Sequence, residues 1–169
     1  HIGGNSYSEH DRATGIEFHR YGSHLFHTSN RRVWDLIRRF SSFNHYRNRV
    51  FSRFRGGTYT VPINLMTINQ FFGRDLSPTE AQEFIRQQAM AENIASPLNL
   101  ADKAISLIGR PLYEAFFKGY TQKQWETEPR SLPADIIGRL PVRFSRNDFY
   151  FFDLYEGLPI YGSAAIFRR

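Results

Sequence analysis

The chain has 169 residues, of which 41% are apolar and 16% aromatic, and this composition excludes an intrinsically disordered chain. No cysteine is present, so disulfides, zinc–thiolate sites and thiol catalysis are excluded as well. Basic residues outnumber acidic ones by 22 to 16 and are nearly all arginine, which favours an anionic ligand because arginine binds phosphate through two parallel hydrogen bonds. The basic residues are scattered along the chain, so nucleic-acid binding is not expected.

The two ends of the chain predict that it is a piece of a longer protein. It begins at His1 inside a motif and ends at Arg169 without a turn or stop signal. No apolar stretch approaches the roughly 20 residues that a membrane-spanning helix needs, so no membrane association is expected.

Residues 1–63 are predicted to be part of an α/β domain. The first 15 residues are polar and glycine-rich and predict a loop. Gly3 and Gly4 allow a positive φ or a close approach of backbone to ligand, and Asn5 can cap the next residues of the chain, although such a pattern is more often a turn than a site. Residues 16–21 alternate apolar and polar side chains, which predicts a strand.

Three histidines occur in quick succession, His19, His24 and His27. No carboxylate or cysteine completes a metal-ligand pattern with them, so no metal site is predicted. We expect the imidazoles to make hydrogen bonds beside a ligand or to buried backbone.

A helix and a hairpin complete this part of the chain. The helix is predicted from a cap at Ser29 or Asn30 to about Phe40, because apolar residues recur at helical spacing. Residues 46–61 predict the hairpin, with its turn near residues 55–58.

Residues 64–140 are predicted to form a predominantly helical substrate domain. The predicted helix caps are Asn64, Ser77 and Asn99. Asn64 has a second interpretation, because its side-chain amide could instead contact a ligand. Gly109 is expected to end one helix, and the next helix is expected to begin directly after it.

The aromatic stretch at residues 116–125 is the most informative part of this domain. Gly119 is predicted to end one helix, and Thr121 with Gln124 to form a capping box that starts another. Tyr120, held between the two helix ends, could be a platform on which a flat ligand stacks. The alternative is a buried aromatic cluster, which pairs such as Phe116 and Phe117 usually form.

Beyond this stretch the composition changes. Residues 126–141 contain prolines and polar side chains and predict a mobile loop that could deliver Arg139 to an anion. Residues 141–169 are predicted to begin a sheet-containing domain, with residues 142–144 and 148–153 in strands.

Six motifs, in order and over essentially the whole chain, closely resemble the bacterial UDP-galactopyranose mutase family. They are HIGGN (residues 1–5), YGSHLFHT (21–28), PINL (62–65), GYTQKQW (119–125), LPA (132–134) and RLPVRF (139–144). The resemblance implies a fragment of an α/β, Rossmann-like, FAD-binding flavoenzyme.

In that family the reaction interconverts UDP-galactopyranose and UDP-galactofuranose on reduced FAD without net redox change. The resemblance implies that the flavin N5 attacks the anomeric carbon of the sugar, displaces UDP and forms an adduct in which the ring opens and recloses. It further implies a cytoplasmic homodimer that takes part in cell-wall polysaccharide biosynthesis.

The resemblance implies a role for each residue that matches a motif. The implied substrate contacts are Asn64, Phe116, Phe117, Tyr120, Thr121, Trp125 and Tyr150. The implied cofactor contacts are Gly3, Gly4, Asn5 and His24. Arg139 and His24 are assigned to catalysis, Arg139 because it would close on the diphosphate and His24 because it would lie close to the flavin.

Two positions depart from the family pattern, Ser23 in place of a common proline and Glu126 in place of a common glycine. The family's G-x-G-x-x-G turn and its C-terminal region are expected outside residues 1–169. The isolated chain is therefore expected to be inactive and not to retain FAD. The alternative hypothesis is a non-catalytic module that binds a uridine nucleotide or another phosphorylated ligand.

Overall fold

The computed structural model describes residues 2–137 and 142–167, and these fold into two compact units. The first unit consists of residues 1–48 and 149–169, and the second of residues 49–148. The hairpin of residues 50–61 therefore belongs with the helices and not with the N-terminal part of the chain. The domain boundaries predicted near residues 63 and 140 stay a prediction for the longer protein.

Within the described residues, the first unit contains two small antiparallel pairs of strands and two α-helices. Its strands are β1 (Ser8–His10), β2 (Glu17–His19), β3 (Phe26–Thr28) and β6 (Tyr155–Gly157), and its helices are α1 (Arg31–Ile37) and α6 (Ser163–Ile166). β1 pairs with β2, and β3 pairs with β6 from the other end of the chain. The predicted cap of α1 is confirmed at Asn30, whose side-chain oxygen accepts hydrogen bonds from the N–H groups of Arg32 and Val33.

The second unit begins with a hairpin and continues as helices. Its elements are β4 (Val50–Phe54), β5 (Gly57–Val61), α2 (Leu65–Phe72), α3 (Pro78–Met90), α4 (Leu100–Leu112) and α5 (Lys118–Trp125). The hairpin is confirmed, with Arg55 and Gly56 both at positive φ, as a tight turn between twisted strands requires.

The predicted caps of the second unit are also confirmed. Asn64 caps α2, Ser77 forms a complete capping box on α3, and Asn99 caps α4. These caps begin helices whose apolar faces form one core. The core residues are Ile63, Leu65, Ile68, Ala81, Ile85, Ala101, Ala104, Ile105, Ile108, Leu112 and Tyr113.

The junction predicted at Gly119 is wrong. The backbone does leave helical geometry at Gly109, as expected, but it then continues through a π-helical turn (Tyr113–Phe117) directly into α5. Gly119 lies inside α5, and neither Thr121 nor Gln124 caps a helix there. Packing of Tyr113 and its neighbours against the core outweighs the cost of about 1 kcal/mol that a glycine carries inside a helix.

The strand predictions at both ends are wrong in part. Residues 1–15 contain a 3₁₀ turn (Gly4–Ser6) and strand β1 instead of the predicted loop alone. Residues 148–153 form no strand despite their aromatic side chains, and Val142 makes one isolated bridge to Ile63. Aromatic side chains fit strands only where a neighbouring strand offers a ladder, and here β3 pairs with residues 155–157 instead.

Candidate functional site

Helix α5 exposes two large aromatic side chains. Tyr120 is 64% exposed and Trp125 is 50% exposed, whereas most aromatic residues of this unit are at least partly covered. The π-helical turn immediately before α5 is a feature that occurs frequently at functional sites. Each of the two rings therefore offers an exposed face on which a flat ligand could stack.

Phe116 and Phe117, predicted to line the same surface, also pack inward. Phe116 contacts Tyr59 edge-on, with ring centroids 5.2 Å apart, and Phe71 at 5.4 Å. Phe117 is half-buried against the helical core. Both residues pack toward the core, and a contact of either with a ligand stays a prediction.

Thr121 and Asn64 are buried. Asn64 is 0% exposed, and its amide oxygen accepts the N–H of Thr67 at 3.0 Å while its amide nitrogen donates to the hydroxyl of Thr60 at 2.9 Å. The oxygen of the amide thus caps α2, and its nitrogen joins this cap to β5. This geometry favours the capping interpretation of Asn64, and the ligand-binding interpretation remains an untested prediction.

Charged side chains lie around α5. Lys118 pairs with Glu114 at 3.4 Å one helical turn away, and Gln122 donates to Glu128 in the segment after the helix. Lys123 is in the last turn of the helix. Arg139, the predicted partner of the diphosphate, lies outside the described residues.

The predicted cofactor residues Gly3, Gly4 and Asn5 form a tight turn in the first unit. Gly3 has φ 99 and Gly4 has φ 51, and the Ser6 hydroxyl donates to the Gly3 carbonyl at 2.7 Å. The positive φ of Gly4 favours glycine, and a Cβ built on it would meet nothing within 4 Å, so the backbone there is open to a ligand. This geometry fits a close approach of backbone to a cofactor.

His19 and His24 are stacked, with ring centroids 6.5 Å apart. The backbone N–H of His24 donates to His19 Nδ1 at 2.9 Å, and His24 Nδ1 lies 2.8 Å from the carbonyl oxygen of Gly22. A carbonyl only accepts, so His24 carries its proton on Nδ1 and, when neutral, offers Nε2 as an acceptor. His24 is thus held in one orientation by its own loop.

A second histidine site was not predicted from the sequence. His27 Nδ1 lies 2.6 Å from Asp153, and the His27 ring stacks on Phe151 at 3.6 Å. The hydrogen bonds from His27, and then from Ser29, hold the pKa of Asp153 below its usual value. No local pattern could have found this pair, because its members are 126 residues apart.

Tyr150 lies in the same segment as Phe151 and is 36% exposed. Its N–H donates to the carbonyl of Asn48 at 2.8 Å. Tyr150 and His24 belong to the first unit, and Tyr120 and Trp125 to the second. The predicted site residues therefore occupy both units.

Cavities are also present among the described residues of the first unit. One has a volume of about 640 Å³ and is lined in part by Glu17, His19 and Ser163. The other has a volume of about 470 Å³ and is lined in part by Arg47 and Glu156.

The described residues contain neither a metal cluster nor a membrane-spanning helix. Within residues 2–137 and 142–167, no three histidine, aspartate or glutamate side chains cluster in a way that could hold a metal ion. In the same ranges no helix is both long enough and apolar enough to span a bilayer.

Two family models match the chain. Residues 115–169 match the model described as UDP-galactopyranose mutase, and residues 1–40 match that of the NAD(P)-binding Rossmann-like domain. The first match contains α5 with its exposed rings, and the second contains the Gly3–Gly4 turn and His24. Together with the mixed helices and strands, the second match confirms an α/β fold.

Curated relatives match the chain over nearly its full length. A dTDP-fucopyranose mutase from Escherichia coli is 42% identical over 100% of this chain and 45% of that protein. A probable UDP-galactopyranose mutase from Klebsiella pneumoniae is 46% identical over 96% of this chain and 42% of that protein. A UDP-galactopyranose mutase from Mycoplasma genitalium is 30% identical over 100% of this chain and 43% of that protein. The chain thus spans less than half the length of these relatives, and the resemblance predicted from its motifs is confirmed.

Proposed function

We propose that this chain, which belongs to the UDP-galactopyranose mutase family, is the nucleotide-recognising part of a flavin-dependent isomerase. The enzyme would interconvert UDP-galactopyranose and UDP-galactofuranose. The family match at residues 115–169 and the names of the relatives support the proposal.

The observation that carries the proposal is the exposure of Tyr120 and Trp125 on α5. Each exposed ring offers a flat apolar face, and a base that stacks on it removes apolar area from water. In the proposed role Tyr120 stacks on the base, while Thr121 and Trp125 lie beside the ribose and sugar. Phe116 and Phe117 fix this surface through their contacts with the core.

The diphosphate would be bound by cations. Lys118 and Lys123 flank Tyr120 in the sequence, and Arg139 lies in the segment after α5. In the proposal Arg139 approaches the diphosphate and stabilises the negative charge that develops on the departing UDP. Glu114, one helical turn earlier, holds the ammonium group of Lys118 through an ion pair.

The cofactor of the proposed enzyme is FAD, whose reduced flavin would supply the nucleophilic nitrogen for the anomeric carbon. Gly3, Gly4 and Asn5 would hold it through an open backbone turn with two positive φ angles. His24, oriented by Gly22 and His19, would offer Nε2 as a hydrogen-bond acceptor beside it. The match of residues 1–40 to a Rossmann-like nucleotide-binding domain supports a dinucleotide cofactor.

A second substrate is favoured by one specific observation, the 42% identity to a dTDP-fucopyranose mutase. Stacking on Tyr120 tolerates either base because both present the same kind of flat face. A deoxythymidine-linked sugar is therefore the alternative substrate, within the same reaction class.

A homodimeric full-length protein stays part of the proposal, and sedimentation of that protein would test it.

The test is titration of UDP and of dTDP into the full-length protein and its Tyr120→Ala variant. Loss of one stacking contact is worth about 1–3 kcal/mol, so Tyr120→Ala should weaken binding of the preferred nucleotide about tenfold or more. Phe51→Ala is the matched control, since Phe51 is an exposed aromatic residue (57%) of the same unit outside the proposed site. Equal affinities of wild type and Tyr120→Ala would remove Tyr120 from the site.

Catalysis is separated from simple binding by assaying the full-length protein with each sugar nucleotide under reducing and oxidising conditions. Interconversion that depends on reduced flavin is the expected result. Nucleotide binding without turnover under any condition would favour the non-catalytic binding module instead.

A further inference from the structure

The aromatic segment at residues 149–152 is held in place without belonging to a strand. Backbone groups that lack a ladder need other partners. The N–H of Tyr150 finds one in the carbonyl oxygen of Asn48, at 2.8 Å. The position of Tyr150 therefore depends in part on what holds Asn48.

Asn48 is held by the side chain of Glu156. Its N–H donates to Glu156 Oε1 at 2.7 Å, and the Glu156 side chain is only 1% exposed. Glu156 lies on β6, which is paired along its length with β3. In an antiparallel pair of strands, a backbone carbonyl of the facing strand would accept an N–H such as that of Asn48. Here the side-chain carboxylate of Glu156, on β6, accepts it instead.

Arg47 makes a second link between Glu156 and the same segment. Arg47 Nε lies 3.5 Å from Glu156 Oε2, and the guanidinium lies 4.1 Å from the centre of the Phe149 ring. A buried carboxylate needs a nearby positive charge, and the guanidinium is in turn attracted to the aromatic face. Residues 47 and 48 thus connect one carboxylate to two consecutive residues, Phe149 and Tyr150.

Arg47 and Glu156 have room to move if these contacts are lost, because both line the cavity of about 470 Å³. The hydrogen bond and the ion pair of Glu156 therefore restrict residues 47 and 48.

We infer that Glu156 is a positioning residue that sets the place of Tyr150 through Asn48 and Arg47. The inference rests on the proposed function, because in that function Tyr150 contacts the nucleotide sugar. Glu156 does not touch the ligand itself; it acts by holding the segment that does.

The first test is amide hydrogen exchange in the full-length protein and its Glu156→Ala variant. Exchange at residues 149–152 should become at least about tenfold faster, because the local opening that exposes the Tyr150 amide becomes easier. Glu156→Gln keeps an oxygen for the Asn48 N–H and should stay within about threefold of wild type. Glu92→Ala, which removes the ion pair with Arg110 in the other unit, is the control and should leave exchange at 149–152 unchanged.

The second test is a double-mutant cycle on UDP-sugar affinity. Tyr150→Phe and Glu156→Ala should each weaken binding, and the two effects should be less than additive because both act through the same contact. Tyr150→Phe combined with Glu92→Ala should be additive. If the Glu156→Ala substitution lowered only the overall stability of the protein, its effect on affinity would be additive with that of Tyr150→Phe, as in the Glu92→Ala cycle.

The outcomes separate the inference from the proposed function. Unchanged exchange at 149–152 in Glu156→Ala, or full additivity with Tyr150→Phe, overturns the positioning role. If Tyr150→Phe alone leaves affinity unchanged, the substrate contact assigned to Tyr150 is wrong. Faster exchange in Glu156→Ala would then still support the structural link.

Discussion

Glu126 ends the helix that carries Tyr120 and Trp125, and it does so in the left-handed region at φ 50 and ψ 30. Residues with a Cβ are disfavoured there, and helices commonly end this way on glycine. The resemblance to the mutase family implies a common glycine at this position, so Glu126 is one of the two expected departures. The backbone conformation is the physical reason why glycine would suit this position.

Replacing Glu126 by glycine should stabilise the protein by about 0.5–1 kcal/mol, because glycine adopts the left-handed conformation without a steric penalty. The measurement is the free energy of unfolding of the full-length protein in urea. Glu126→Ala is the control, since it removes the carboxylate but keeps the Cβ. An equal gain from alanine would show that the charge and not the backbone conformation is responsible.

Helix α4 illustrates how one glycine shapes secondary structure. Gly109 has φ 76 and ψ 159, and a Cβ built on it would lie 2.8 Å from Cβ of Gln88 on α3. The kink therefore requires glycine for two reasons, its positive φ and the close approach of α3. Gly119 in α5 is different, because a Cβ there would meet nothing within 4 Å.

Alanine substitutions at these two glycines should have opposite effects on stability. Gly109→Ala should cost about 2 kcal/mol or more, since it combines backbone strain with overpacking. Gly119→Ala should add about 0.5–1 kcal/mol, because alanine favours a helix interior. The measurement is the free energy of unfolding of both variants in urea. Destabilisation by Gly119→Ala would show that the helix around Gly119 is not regular.

Across the entire chain, the first unit is built from two separate stretches that enclose the second in sequence. The pairings between β3 and β6 and between His27 and Asp153 close this long loop. The proposed nucleotide and cofactor residues are divided between the units, so the complete enzyme depends on the chain as a whole. Arg139, which lies outside the described residues, is the residue on which turnover is predicted to depend most.

Arg139→Ala in the full-length enzyme should lower turnover by about 100-fold or more, because it removes a cation from the developing charge on the leaving UDP. Circular dichroism and thermal unfolding should be unchanged. Arg146→Ala, at an exposed arginine nearby in the sequence, is the control. Normal turnover in Arg139→Ala would exclude its proposed catalytic role.

Features that depend on neighbouring residues were predictable from the amino-acid sequence alone. The caps at Asn30, Asn64, Ser77 and Asn99 are of this kind, because a cap bonds to an N–H two or three residues away. The family was recognisable because its motifs occur in order along the chain.

Tertiary packing determined how distant segments hold one another. It carried the helix through Gly119, because the aromatic residues before it pack on a core assembled from other helices. It left residues 148–153 without a strand and joined them instead to His27 and Asn48. These partners lie up to 126 residues away, and a local pattern carries no information about which distant group will satisfy a backbone or a buried charge.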